Sequence, residues 1–159
     1  MPASLFRNHF QIAYVTRDAQ RGMSRLGDRY GVAKWNVMNL HEGDPAAATR
    51  YISTAYVGDL MLELIEPNHG VPSIYEGWLA PGQDLRFHHH GFYADSDEDM
   101  RARRDALLAN GLEIPVDGRF GDILEFLYAD CVAEFGHYYE IVHLLPAGRD
   151  FFATTPRND

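Results

Sequence analysis

Short runs of alternating apolar and polar residues dominate this chain, and two stretches break them with helical spacing. Residues 9–16, HFQIAYVT, alternate with period two and are rich in β-branched and aromatic types, so they predict a strand. Asp18 is placed to cap a helix running to about Tyr30, with Met23, Leu26 and Tyr30 on one face and Gly31 to end it. Three strands are expected next, at about 33–40, 50–57 and 60–66, with Gly58-Asp59 as a tight turn between the last two. Residues 68–86 read as a connector with one short helix over 73–79. The plan then returns. A strand is expected at 87–94 (FHHHGFYA), then a helix, DEDMRARRDALLAN, capped by Ser96 or Asp97 and closed by Gly111. Further strands are expected at about 112–117, 123–130 and 136–144. The tail beyond Pro146 carries no clear signal.

The same order of elements thus occurs twice, and the residues repeat with it. QIAYVTRD begins at Gln11 and HGFYADSD at His90; both place Tyr fourth and Asp eighth. Glu63 follows Gln11 by 52 residues, and Glu140 follows His90 by 50. A repeat this regular implies a duplicated supersecondary unit. The expected fold is α+β, with two paired βαβββ modules forming a cupped, barrel-like sheet around a central site. Module one spans about 8–67, module two about 87–145 and the tail 146–159, all within one domain over 1–159.

Alternation along strands assigns faces. His9, Gln11, Ala13 and Val15 share one face, as do His88, His90 and Phe92; Met61, Glu63 and Ile65; and Tyr138, Glu140 and Val142. Glu63 and Glu140 therefore stand in mainly apolar rows, where a carboxylate is unfavourable unless paired or bound to a cation. Two carboxylates, an imidazole and an amide oxygen suit a hard or borderline divalent ion with open positions for substrate oxygens. On this register His89 points the other way and is structural, His137 and His143 lie opposite Glu140, and Glu66 faces away from Glu63. His9 and His88 share faces with the expected ligands and could orient a ligand or substrate. Ile74, Tyr75, Trp78 and Leu79 suit either a pocket cover or a dimer contact.

Composition narrows the partners. A formal net charge of −9 argues against nucleic acid or an anionic membrane surface. Aromatics at 13 % allow a lined pocket as well as a core. The single cysteine, Cys131, excludes an internal disulfide and a Cys-based zinc site and reads as a packing residue. No apolar run approaches the ~20 residues that span a bilayer. Without a recognisable leader, a cytoplasmic location is expected.

FQIAYVTRD, LELIEP followed by SIYEG, HHHGFYADSD and GHYYEIVHL together resemble the vicinal oxygen chelate superfamily, closest to its glyoxalase-like branch, over about residues 8–145. The resemblance implies a metal between paired modules. It also implies a first-strand ligand seven residues before the Asp that opens the helix. Counting back from Asp18 gives Gln11; counting back from Asp97 gives His90. The implied ligands are Gln11, Glu63, His90 and Glu140, around nickel, cobalt, manganese, iron or zinc. The implied activity is that of a lyase or isomerase of glyoxalase I type on a small-molecule substrate. Glu140 and Glu63 would move a proton α to a carbonyl, and the protein would be a homodimer. Two other activities of the superfamily compete. One is an iron(II) extradiol dioxygenase using His9, His90 and Glu140, which needs a bulge to bring His9 into register. The other is a metal-free protein that sequesters a ligand.

Overall fold

The computed structural model describes residues 4–159. Its elements run β1 (His9–Thr16), α1 (Ala19–Tyr30), β2 (Asn36–Asn39), α2 (Leu40–Gly43), β3 (Thr49–Val57) and β4 (Leu60–Pro67), then β5 (Leu85–Tyr93), α3 (Asp97–Ala109), β6 (Val116–Phe120), β7 (Leu124–Cys131), α4 (Val132–Phe135), β8 (His137–Leu144) and α5 (Pro146–Ala153). The class is α+β, and strand, helix and three strands occur in that order twice.

The chain forms two compact units. The amino-terminal unit holds Ile12–His88 with Thr155–Asp159; the carboxy-terminal unit holds His89–Thr154 with the described residues up to Gln11. The first residues of β1 thus belong with the second module, and the first residues of β5 with the first.

In the amino-terminal unit the strand order is β2-β3-β4-β1-β5, the last two contributing Ile12–Thr16 and Leu85–His88. β3 and β4 form an antiparallel hairpin in which Thr54 faces Glu63. Asp18 caps α1 by accepting from the Arg21 N–H at 2.8 Å, and Gly31 ends it with φ 76°, which a side chain would strain. The Oε2 of buried Glu66 accepts from the Ala19 N–H at 2.8 Å, satisfying an orphan donor of the first turn and placing the charge at the positive end of the helix. Leu64, two residues earlier, comes against Gly22 of the same helix. Residues 62, 64 and 66 therefore face α1, and Glu63 faces away from it. The final residues lie along β3: the Tyr56 N–H donates to the Pro156 carbonyl, and Arg157 sits 4.8 Å from the Tyr56 ring centroid.

The connector departs from expectation. No helix forms over 73–79; one turn closes there, the Trp78 N–H donating to the Tyr75 carbonyl at 3.2 Å. Pro72 precedes the segment and Gly77 takes φ 75°, so helical propagation stops on both sides. Trp78 turns inward instead: it is buried, its indole N–H donates to the Phe87 carbonyl, and Arg86 lies 4.6 Å over its ring. It is thus committed within its own unit rather than offered as a dimer contact.

In the carboxy-terminal unit the strand order is β1-β5-β8-β7-β6, with β1 contributing His9–Gln11. β5 and β8 are parallel, and β8, β7 and β6 are antiparallel neighbours. One sheet face packs on α3, through Phe92, Leu127, Ala129, Cys131, Tyr139 and Ile141 against Met100 and Leu107. Cys131 is a buried packing residue of that layer. Three helices are absent from the sequence reading: α2 in the amino-terminal unit, and α4 and α5 here. α4 and α5 each follow a strand directly, with no side-chain hydrogen bond from the N-cap residue itself.

Candidate active site

Three donors from three strands of the carboxy-terminal unit meet on the sheet face turned away from α3. His89 Nε2 lies 3.3 Å from Gln11 Oε1 and 3.2 Å from Glu140 Oε2. Gln11, His89 and Glu140 are all buried. The parallel register places Tyr138 beside His89 and Glu140 beside Gly91, which puts imidazole and carboxylate on one face.

Gly91 is what admits the amide. A Cβ there would lie 2.7 Å from Gln11 Oε1 and 3.0 Å from Gln11 Cβ, closer than real side chains approach. The same imagined Cβ would lie 3.2 Å from Phe10 Cε1, and the Phe10 ring stacks on Tyr93 with centroids 3.6 Å apart. Phe10 and Gln11, consecutive in sequence, therefore reach the same face. Strict alternation is broken between them, as at a β-bulge.

That break decides which residues meet. His9 does not share a face with Gln11. Its ring packs on His90 and Phe92, and Phe92 belongs to the α3-facing layer. His9 Nε2 lies 3.0 Å from the Gln11 carbonyl oxygen and 3.1 Å from His90 Nδ1. A carbonyl only accepts, so His9 Nε2 carries the proton of the first bond. His90, singled out by counting from Asp97, sits in this second cluster, with the His137 ring 5.0 Å away. The structure thus brings together Gln11 and Glu140 of the expected set, with His89 where His90 was expected. The physical reason lies in the helix cap. The side chain that caps α3 is Ser96, which accepts from the Asp99 N–H at 3.1 Å. Seven residues before Ser96 is His89. His9, His90 and Glu140, the dioxygenase combination, are not assembled, because both histidines face α3 while Glu140 faces away.

His88 is fully buried in the amino-terminal unit between Tyr75 and Trp78, with Nε2 3.3 Å from the Ile74 carbonyl oxygen, so it packs the connector onto its strand. Glu63 lies half-buried on β4 in the same unit.

Burial sets the electrostatics. It pushes the Glu140 carboxyl up to about 8, opposed by a hydrogen bond from Tyr128, which stands directly across from it on β7. Burial lowers His89 to about 3, helped by His137. Both groups favour their neutral forms, so the 3.2 Å contact is not a neutral-pH ion pair. A divalent cation would reverse the balance at Glu140, favouring carboxylate beside neutral imidazole. Among the described residues no three His, Cys, Asp or Glu side chains cluster to hold a metal; the Gln11 amide oxygen completes this donor set. The spacing fits: ligands ~2.1 Å from one ion stand ~3.0 Å apart at cis-octahedral angles and ~3.4 Å apart at tetrahedral ones. Burial lowers His90 to about 4 as well, with His9, His137 and His89 adding to the effect.

Sequence reasoning missed His89, Gly91 and Tyr128. Reading Ser96 as the cap would have found His89, and alternation along LEFLYADC places Tyr128 on the inner row. Nothing local in the sequence distinguishes Gly91.

No family model matches the chain, and no curated protein matches it. Its fold is that of solved methylmalonyl-CoA epimerases. The enzyme of Streptomyces coelicolor, solved in complex with 2-nitronate-propionyl-CoA, is 19 % identical over 86 % of this chain and 96 % of its own, with a TM-score of 0.63. The enzyme of Mycobacterium tuberculosis is 14 % identical over 94 % and 96 %, with a TM-score of 0.66. A hypothetical protein of Bacillus halodurans is 16 % identical over 86 % and 93 %, with a TM-score of 0.61.

Proposed function

We propose that this protein is a divalent-metal-dependent isomerase or lyase that moves a proton on the carbon α to a carbonyl of a small organic substrate. The observation that carries the reading is the convergence of Gln11, His89 and Glu140, a neutral amide, an imidazole and a buried carboxylate, at metal-ligand spacing. Likeness to methylmalonyl-CoA epimerases supports the isomerase class and suggests acyl thioesters among the substrates to try. Glu63, its equivalent in the first module by the sequence repeat, is proposed as a further ligand and second proton carrier.

Nickel, cobalt, manganese, iron or zinc would supply Lewis acidity, lowering the energy of the negative charge that develops on substrate oxygen. Gln11 holds its position without adding charge, and Gly91 leaves it room. Glu140, kept as the carboxylate by the cation, is the group placed to take the proton and return it. Tyr128 fixes the carboxylate's direction by donating to it. The reading includes a homodimer, checked by light scattering, and a cytoplasmic enzyme without a nucleic-acid or membrane partner. Among the described residues no helix is long and apolar enough to cross a membrane.

The test is Glu140→Gln, which keeps size and an oxygen donor but removes the base. Proton–deuterium exchange at the α carbon of methylmalonyl-CoA and of uncharged 1,3-dicarbonyls should fall by roughly 100-fold or more in kcat. Metal content, measured by elemental analysis of the same samples, should stay within about twofold. Normal turnover in the variant, or wild-type protein that neither carries nor is thermally stabilised by any of these ions, overturns the reading.

A further inference from the structure

The sheet face that carries Glu140 has a surface the proton transfer does not use. Alternation and register put Leu124, Phe126, Tyr128 and Asp130 of β7 on this face, with Val116, Gly118 and Phe120 of β6 across from the first three. Phe126 lies over Gly118: a Cβ at 118 would stand 3.2, 3.4 and 3.8 Å from its Cζ, Cε1 and Cε2. The outer half of the ring thus rests on bare backbone that only glycine provides, and the residue stays half-buried. Tyr128 meets Phe126 edge to face, centroids 6.1 Å apart, and meets Tyr138 likewise at 6.3 Å. Tyr128 also bonds Glu140, so this aromatic row leads directly to the proposed base. Among the described residues of this unit, the face carries no Lys or Arg. Its second carboxylate, Asp130, is committed to the Val132 N–H at 2.9 Å.

We propose that Phe126, laid flat on Gly118, is a stacking platform that makes the enzyme select substrates whose non-reacting substituent is an uncharged aromatic or broad apolar group. A planar ring gains contact area and favourable quadrupole geometry against such a row. An anionic substituent finds no cationic side chain there and meets the field of Asp130. The proposal rests on the reading of Glu140 as proton carrier, and it names the substrate class for that site.

Two uncharged β-keto esters test it, ethyl 2-methylacetoacetate and its benzoyl counterpart, which share the exchangeable α proton and differ in methyl against phenyl. Binding to the protein as purified is measured by ligand NMR titration, and α-proton exchange is measured in the same tubes. The benzoyl ester should bind about tenfold tighter. Phe126→Ala should remove that preference, bringing the affinities of the two esters to within about twofold of each other. Phe126→Tyr should retain it, and Gly118→Val, which lifts the ring, should lose it. Equal binding of the two esters, or a preference that survives Phe126→Ala in folded protein, overturns the proposal. The two readings fail separately. A benzoyl preference lost in Phe126→Ala without any α-proton exchange leaves the platform and sinks the proton transfer. Exchange without the preference does the reverse.

Discussion

The two faces of one sheet in the carboxy-terminal unit carry histidines only one residue apart, yet their chemistry is opposite. On the α3 side, Leu127, Ala129, Tyr139 and Ile141 pack against Met100 and Leu107, and His9, His90 and His137 gather at the margin. On the other side, His89 and Glu140 are buried beside the Gln11 amide, flanked by Tyr128 and Phe126. Both faces exclude water, but the first uses that dryness for cohesion. The second uses it to raise a carboxyl and hold an imidazole neutral. Gly91 leaves the room in which the Gln11 amide reaches that buried pair.

Substitutions should separate the faces, and the largest effect belongs to the packing side. Leu127→Ala leaves a cavity under α3 and should destabilise the protein by about 3 kcal/mol, read from denaturant unfolding. Turnover per folded molecule should stay within about twofold, and a selective loss of turnover would erase the contrast. Gly91→Ala acts on the other face, driving a methyl into Gln11. It should weaken metal binding by roughly 10-fold or more, as disturbing a ligand's support does, measured by competition titration. Unchanged metal affinity would remove Gln11 from the donor set.

The metal-free protein sharpens the comparison through pH. The folded pKa of Glu140 lies above its unfolded value, so its contribution to stability is complete below about pH 4.5 and is lost as pH rises through about 8. Wild type should therefore lose stability relative to Glu140→Gln between about pH 5 and 9 in thermal melts with chelator. Saturating divalent metal should cancel that trend, because it favours the carboxylate. A stability difference independent of pH would mean that the folded carboxyl titrates normally. The smallest effect is expected at His9, which touches the Gln11 backbone rather than its amide side chain. His9→Ala should change kcat by less than about threefold. A dead enzyme would move the site to the His9 cluster.

Much was legible from residue pattern alone. The duplicated order of strand, helix and three strands, the Asp18 cap with its Gly31 stop, and the nomination of Gln11 and Glu140 as candidate donors all follow from period, cap chemistry and repeat spacing, which are local properties of the chain. The choice among three consecutive histidines was not local. His88 is enclosed by Tyr75 and Trp78 of a connector that coils back rather than forming a helix; His89 meets Gln11 and Glu140; His90 turns to His9. A strand's period of two puts any one-residue error on the wrong face. Here the register hangs on two facts of assembly: Ser96 rather than Asp97 accepts from the first turn of α3, and alternation breaks between Phe10 and Gln11 over the empty side of Gly91. Residue types could nominate the donors, but only the backbone's path through the sheet could choose which imidazole meets the carboxylate.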